Sequence, residues 1–437
     1  MAATSGSTGT RTTGSTSGSG TKLPCHGMQL RPSRRFRAGA ADDVPLLVRV
    51  LAGNPSTSAA ILGCLDTVDA SLLRRLHPAV ADVVAGVPWA DTTTPVVDVV
   101  RWRAALPAAV GARVAQRSTG RRLAAMAALT DTTHLDLQGC GFVTDELLLR
   151  LPASLHTLNV SDCYALTERA SFGHLPALKL LNCCGTRVFG GGMAGLPATL
   201  QELDIADVDL PAGASLTHLV RLLVLRVYSL EAGTLPSLPP SLLELQCRGL
   251  PPGALFAHLP TLHTLGVAGT DFDDVSLASM PPSLVSLNAH ECKNLTPAAV
   301  LPPLPLLRLL DVNGTGIGDA LVASLPAGLT ELRMTECRHV TADATLDHLR
   351  ALHTLHSYGT DLASGVLAGC RARGCAVPVA GVLRGHQGTS LTLAVLSDGR
   401  LASGDTAGEV RVWDVAAGKG EADVILRSAR GVVTLVA

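Results

Sequence analysis

One apolar spelling, L-x-x-L-x-[apolar], recurs along this chain with so little drift that it limits the fold before anything else is weighed. It reads LHTLNV, LKLLNC, LQELDI, LLVLRV, LLELQC, LHTLGV, LVSLNA, LRLLDV, LTELRM and LHTLHS. The copies begin at residues 155, 178, 200, 222, 242, 262, 284, 307, 329 and 352, a spacing of 20 to 23. An imperfect copy, TTHLDL, begins at Thr132 and brings the number to eleven. A period of this length is one supersecondary unit that cannot bury its own apolar face, so neighbours must stack. Each copy predicts a short strand whose first, fourth and sixth residues point inward, as Leu155, Leu158 and Val160 do in the first full copy. Such strands pair in parallel about 4.8 Å apart.

A second period lies over the first. Odd copies follow LPAS, LPAT, LPPS, MPPS or LPAG, and even copies follow HLPA, HLVR, HLPT, PLPL or HLRA. The duplicated unit is therefore a pair of repeats, 40 to 46 residues long. Over residues 123–361 the chain resembles a leucine-rich repeat protein. Its L-P-x-x-L-x-x-L spelling is similar to bacterial effector-type repeats, and its C-x-x-[LV]-T ending is similar to the cysteine-containing eukaryotic type. The resemblance implies an α/β repeat fold, a leucine-rich repeat solenoid. Its parallel strands would line a concave face, and the convex side would be irregular or short-helical.

Leu151 to Thr167, LPASLHTLNVSDCYALT, raises a different possibility, because His156, Asp162 and Cys163 are the residue types of a cysteine nucleophile with its base and acid. The ninth position of each copy argues against it. That position reads Cys140, Cys163, Thr186, Val208, Leu230, Leu250, Thr270, Cys292, Thr315, Cys337 and Thr360. The family resemblance implies an inward side chain there, satisfying backbone groups left over where the strand ends. Cys163 is one rung of that row, and no catalytic residue is assigned. In the middle of the row Val208, Leu230 and Leu250 are apolar. A local change of curvature is expected over residues 200–262, with the backbone satisfied in another way. His174, His218, His258 and His348 sit four residues before alternate copies. Alternate strands lie about 10 Å apart, too far to share an ion that needs ligands at about 2.0–2.1 Å. No metal or cofactor is expected.

Hydrophobic residues make up 47% of the chain and aromatics only 3%, which suits repeated Leu, Val and Ala layers. The formal net charge of −1 offers no field for nucleic acid or an acidic membrane. No apolar run reaches the roughly 18 residues of a membrane span. The 11 cysteines are odd in number and scattered, with no C-x-x-C, a usage that fits a reduced, intracellular and cytoplasmic setting. Residues 1–40 are rich in Ser, Thr and Gly and lack the apolar surface to fold, so a disordered tail is expected. Their Arg-bearing, acid-free composition is also that of an organellar transit peptide.

Residues 41–122 read as helices: DDVPLLVRVLAG, STSAAILGCL, DASLLRRLHPAVADVV with Asp69 or Ser71 as cap, and TPVVDVVRWRAAL. Ile61 to Val84 is similar to the middle of an F-box, although the leading Leu-Pro and the Cys-x-x-Trp region of that family are missing. A plain N-terminal helical cap on the first repeat is the other reading. LASGVLAGCRARGC, within residues 362–379, reads as a C-terminal cap. Residues 380–437 change character. There Gly385-His386, Leu401-Ala-Ser-Gly and Trp413-Asp414 resemble one WD40 repeat, a small all-β segment, with Ala407 where the family's tight-turn Asp belongs. A second copy has only begun at GVVTLVA.

Positions three, five and seven face outward, as Thr157, Asn159 and Ser161 would in the first full copy. Position five is mostly short and polar, interrupted by arginines. Arg226, Tyr228, Glu244, Gln246 and Arg248 form one cluster, and Glu331, Arg333, His356 and Tyr358 another; Tyr and Arg are enriched at binding hot spots. The expected function is a non-catalytic protein-protein interaction scaffold, binding a protein or peptide on the concave face. The alternative is an F-box-type adaptor of a cullin-type ubiquitin ligase, docking a Skp1-like partner through residues 42–90. An effector-type enzyme is the third reading, and the sequence beyond the repeats supplies no catalytic module for it.

Overall fold

The computed structural model describes residues 49–51, 55–62, 64–116, 129–188, 193–208, 210, 213–377, 390–396, 400–405, 409–413 and 424–427. The expected tail, the GH and GVVTLVA motifs and Ala407 lie outside them. The chain divides into two units, residues 1–84 and 85–437.

In the first unit, helices α1 (Pro55–Leu62) and α2 (Thr67–Leu73) precede α3 (Pro78–Gly86), which runs on into the second. The stretch expected as one helix from Asp69 to Val84 is therefore two. Asp66 caps α2 by accepting the Asp69 N–H at 2.8 Å, in place of the expected Asp69 or Ser71. Pro78 interrupts the run and opens α3, because proline lacks the N–H that a helix interior needs and its fixed φ suits a first turn.

The second unit is a parallel solenoid. Among the described residues, 13 strands of this unit, β1 to β13, lie in chain order in one parallel sheet. The expected repeats supply β3 (His134–Asp136), β4 (Thr157–Asn159), β5 (Leu180–Asn182), β6 (Glu202–Ile205), β7 (Val224–Ser229), β8 (Glu244–Gly249), β9 (Thr264–Gly266), β10 (Ser286–Asn288), β11 (Leu309–Asp311), β12 (Glu331–Arg333) and β13 (Thr354–His356). Two more precede them, β1 (Pro95–Val96) and β2 (Gly111–Val114). The solenoid thus reaches into the stretch expected to be helical. TPVVDVVRWRAAL is a strand followed by α4 (Val99–Ala105), whose cap Asp98 accepts the Arg101 N–H at 3.0 Å.

Leucines at positions one, four and six build the core: Leu155, Leu158 and Val160 are buried, and so are their counterparts along the row. Full burial of each such side chain contributes about 1.5–3 kcal/mol. The return side carries short helices α5 (Asp145–Leu148), α6 (Asp274–Ala278) and α7 (Asp319–Ala323). The first residue of each clasps the next turn. Asp319 accepts the Thr341 N–H at 2.8 Å and its hydroxyl at 2.7 Å, and Asp145 and Asp274 do the same to Thr167 and Thr296. After β13, helix α8 (Ser364–Ala372) closes the row where a C-terminal cap was expected. Further on, β14 (Ser390–Val395), β15 (Leu401–Asp405), β16 (Glu409–Trp413) and β17 (Val424–Arg427) form an antiparallel meander. Within it Trp413 Nε1 donates to Ser403 Oγ at 2.7 Å, and Arg411 pairs with Glu409 at 2.9 Å.

The row of ninth-position side chains explains both periods. Cys163 Sγ donates to the Leu137 carbonyl at 3.1 Å, one repeat back, and Cys140, Cys292 and Cys337 reach back to Val114, Val267 and Val312 in the same way. Threonines donate within their own repeat, Thr270 to Val267 at 2.7 Å and Thr315 to Val312 at 2.6 Å. A threonine repeat and the cysteine repeat after it thus share one carbonyl. The eighth residue turns the chain with positive φ: Gly139, Gly185, Gly269, Gly314 and Gly359, but also Asp162, Glu291 and Glu336. The acids stand in odd copies and lie over the glycine of the next even copy. A Cβ on Gly185 would meet Asp162 Oδ1 at 2.8 Å, and one on Gly359 would meet Glu336 Cδ at 2.9 Å. Two-repeat periodicity is therefore a packing rule.

Candidate interaction surface

Position five proves to be a strand-ending device as well as an outward surface. Asp136, Asn159, Asn182, Asp204, Asn288 and Asp311 each accept, through Oδ1, the backbone N–H two residues on, at 2.9 to 3.2 Å. These side chains hold the turn and are less available to a partner than the sequence suggests. Ser161, expected to face out, is 5% exposed.

Where position five is Arg226 or Gln246 no such bond forms, and β7 and β8 run six residues instead of three or four. Their extended pairing, Ser229 opposite Gly249, carries the backbone through the repeats that lack Cys or Thr at position nine. Leu230 N–H donates to the Gly249 carbonyl at 2.9 Å. The expected alternative satisfaction of the backbone is extra strand.

The long strands position the first cluster. Arg226 spans two neighbouring strands, with Nη1 2.5 Å from Glu202 Oε1 and Nη2 3.2 Å from Glu244 Oε1. Gln246 Nε2 donates to the same Glu244 oxygen at 2.9 Å. Burial lowers the Arg226 pKa, but Glu202 and the other carboxylates outweigh it and hold the guanidinium charge. Tyr228 is 45% exposed, and the Arg248 side chain, 72% exposed, stands 4.0 Å from Asp207.

The second cluster is only partly brought together. Arg333 pairs with Glu331 at 2.6 Å and with Asp311 at 3.6 Å. With His356 it lines an open recess of about 720 Å³ whose walls also include His290, Lys293, Glu336 and Arg338. Glu331 and Tyr358 are not among its lining residues. Sequence reading missed Lys293 and Arg338, which occupy position ten of the two cysteine repeats flanking Gly314. Their signal was the C-[KR] pair in the copies that begin at residues 284 and 329.

The possible nucleophile is fully buried. Cys163 is pushed up to about 12 by burial, and its thiol donates to a carbonyl rather than to His156. Two histidines of the row tie repeats together: His174 and His258 Nε2 each donate to a carbonyl of the preceding repeat, Leu148 and Leu235, at 3.0 Å, whereas His218 and His348 Nε2 are buried without a partner. Among the described residues no group of three or more His, Cys, Asp or Glu is placed to hold a metal ion, and no helix is long and apolar enough to cross a membrane.

No family model and no curated protein matches the chain. Solved structures do. An internalin from Listeria monocytogenes is similar at 15% identity and a TM-score of 0.46, over 59% of this chain and 77% of that one. The functional domain of InlJ from the same organism, which includes a cysteine ladder, is similar at 17% and 0.42, over 59% and 64%. YopM from Yersinia enterocolitica is similar at 26% and 0.34, over 49% of this chain and 48% of its own length.

Proposed function

We propose that the chain is a non-catalytic interaction scaffold that binds a protein or peptide on the solvent-facing side of β6–β8. The observation that carries this reading is Arg226, clamped between Glu202 and Glu244 beside an exposed Tyr228. A guanidinium fixed before a partner arrives loses little freedom on binding. Tyrosine and arginine are both enriched at hot spots. Affinity capture with the full chain tests it, comparing wild type with an Arg226→Ala, Tyr228→Ala, Arg248→Ala triple variant of unchanged circular dichroism. Equal recovery of every partner by both proteins defeats it.

A second reading, a substrate adaptor docking a Skp1-like partner through residues 42–90, is favoured by apolar side chains left in solvent. Val68, Leu72 and Leu76, on α2 and the turn after it, are 49%, 53% and 63% exposed. Binding of a purified Skp1-like protein that is abolished by Leu72→Asp with Leu76→Asp supports it. Absence of binding to the wild type removes it.

A further inference from the structure

A second recess, of about 410 Å³, opens where β3 to β6 begin. Its polar lining comes from positions two and three of consecutive repeats: Thr133, His134, His156, Thr157, Lys179 and Gln201. No carboxylate lines it. Two acids adjoining it in sequence are engaged elsewhere. Glu202, which follows Gln201, is held by Arg226 at 2.5 Å, and Asp136 faces Arg113 at 3.5 Å. The backbone is also consumed, since the Thr133 carbonyl accepts the N–H groups of His156 and Thr157, and the His156 carbonyl those of Lys179 and Leu180. What remains for a ligand is side chains, nearly all of them able to donate.

One ring nitrogen in this lining has no partner, and the two imidazoles stand close together. His156 Nδ1 is buried without a hydrogen-bond partner, a state that ordinarily costs about 1–3 kcal/mol. His134, with Thr133 Oγ1 2.8 Å from its Nδ1, has its pKa lowered by burial and then by the neighbouring His156. Two imidazoles are thus crowded together beside an exposed ammonium with no counter-charge in the lining.

We propose that this recess binds a phosphoryl group, carried on a phosphorylated side chain of a peptide partner. Three terminal oxygens and a charge near −2 match six donor groups on four adjacent repeats better than the two oxygens of a carboxylate. No Phe, Tyr or Trp lines the recess, so it offers no stacking platform for nucleic-acid bases. The peptide as carrier rests on the interaction reading above; the anion chemistry does not.

The test is a phosphorus NMR titration of the full chain with N-acetyl-phosphoserine amide and, separately, inorganic phosphate, with N-acetyl-aspartate amide as competitor. Phosphoserine is expected to bind and to resist displacement by the aspartate amide. Lys179→Glu, at an exposed position, is expected to weaken binding about tenfold or more, and His156→Ala also weakens it. Tyr228→Ala with Arg248→Ala, which disables the other patch, leaves it unchanged, so the two readings fail separately. Absence of binding by either phosphate, or equal binding by Lys179→Glu and wild type, overturns the site. Equal displacement by the aspartate amide overturns the phosphoryl preference, and binding of inorganic phosphate alone overturns the peptide carrier.

Discussion

Thr270 and Cys292, one repeat apart, donate to the same acceptor: the Val267 carbonyl receives the hydroxyl at 2.7 Å and the thiol at 3.1 Å. The Leu137 carbonyl has no threonine. It receives the Cys140 N–H at 3.0 Å and the Cys163 thiol. Removing Cys163 therefore strips a carbonyl that has fewer donors left. Cys163→Ala is expected to cost about 0.5–1 kcal/mol more than Cys292→Ala, measured by urea denaturation. Equal costs would show that cavity formation, not hydrogen bonding, dominates.

Alkali should find the same thiols. Burial pushes Cys140 up to about 11 and Cys163 and Cys247 up to about 12, against about 9 for an ordinary thiol. Between those values the folded chain keeps protons that the unfolded chain releases, so stability falls as pH rises above about 9. Chemical denaturation across that window is expected to show the decline, and a Cys163→Ala, Cys247→Ala variant a shallower one. In the native chain at neutral pH these thiols should resist iodoacetamide while Cys64, which is exposed, is alkylated.

Gly359 has φ +76°, and a Cβ there would meet Glu336 at 2.9 Å. A left-handed backbone costs a residue with a Cβ about 1–2 kcal/mol. Gly359→Ala should lower stability by about that amount, read from the thermal midpoint. Pairing it with Glu336→Ala, which trims the side chain and keeps a Cβ at the φ of +60° there, should recover only the smaller, steric share, because the end of a glutamate side chain can move aside while the backbone cannot.

Arg226→Ala separates binding from folding. Its ion pairs are partly exposed, where such pairs contribute about 1 kcal/mol or less. Denaturation should register a small change while partner capture is lost. A large loss of stability would mark the arginine as a structural strut instead.

Leucine spacing made β3 to β13 legible because each copy buries its own regular triplet, so the period survives variation elsewhere. It could not reveal β1 or β2. Pro95–Val96 is two residues long, and Gly111–Val114 has no leucine in it. Both join the sheet by pairing with a neighbour, which no local pattern encodes. The first cluster was partly legible: Arg226, Glu244 and Gln246 meet because parallel registry aligns equal positions. Glu202, an equal partner in the clamp, was overlooked because it belongs to the repeat before. Ser161, expected to face out, is buried instead, and Asn159, which does face out, spends its side-chain oxygen on the backbone N–H two residues on.

The alternation of acid and glycine at the turns has an arithmetic side. A bulky residue in one turn needs a bare one in the next, and a threonine turn shares its carbonyl with a cysteine turn. Splicing out a single repeat would set two acids, or two glycines, against each other at the junction. Removing two keeps the junction as it was, outside the middle repeats where Asp207, Ser229 and Gly249 break the alternation. Chains of this design should therefore lengthen and shorten by even numbers, and a viable deletion library of this solenoid would contain steps of two.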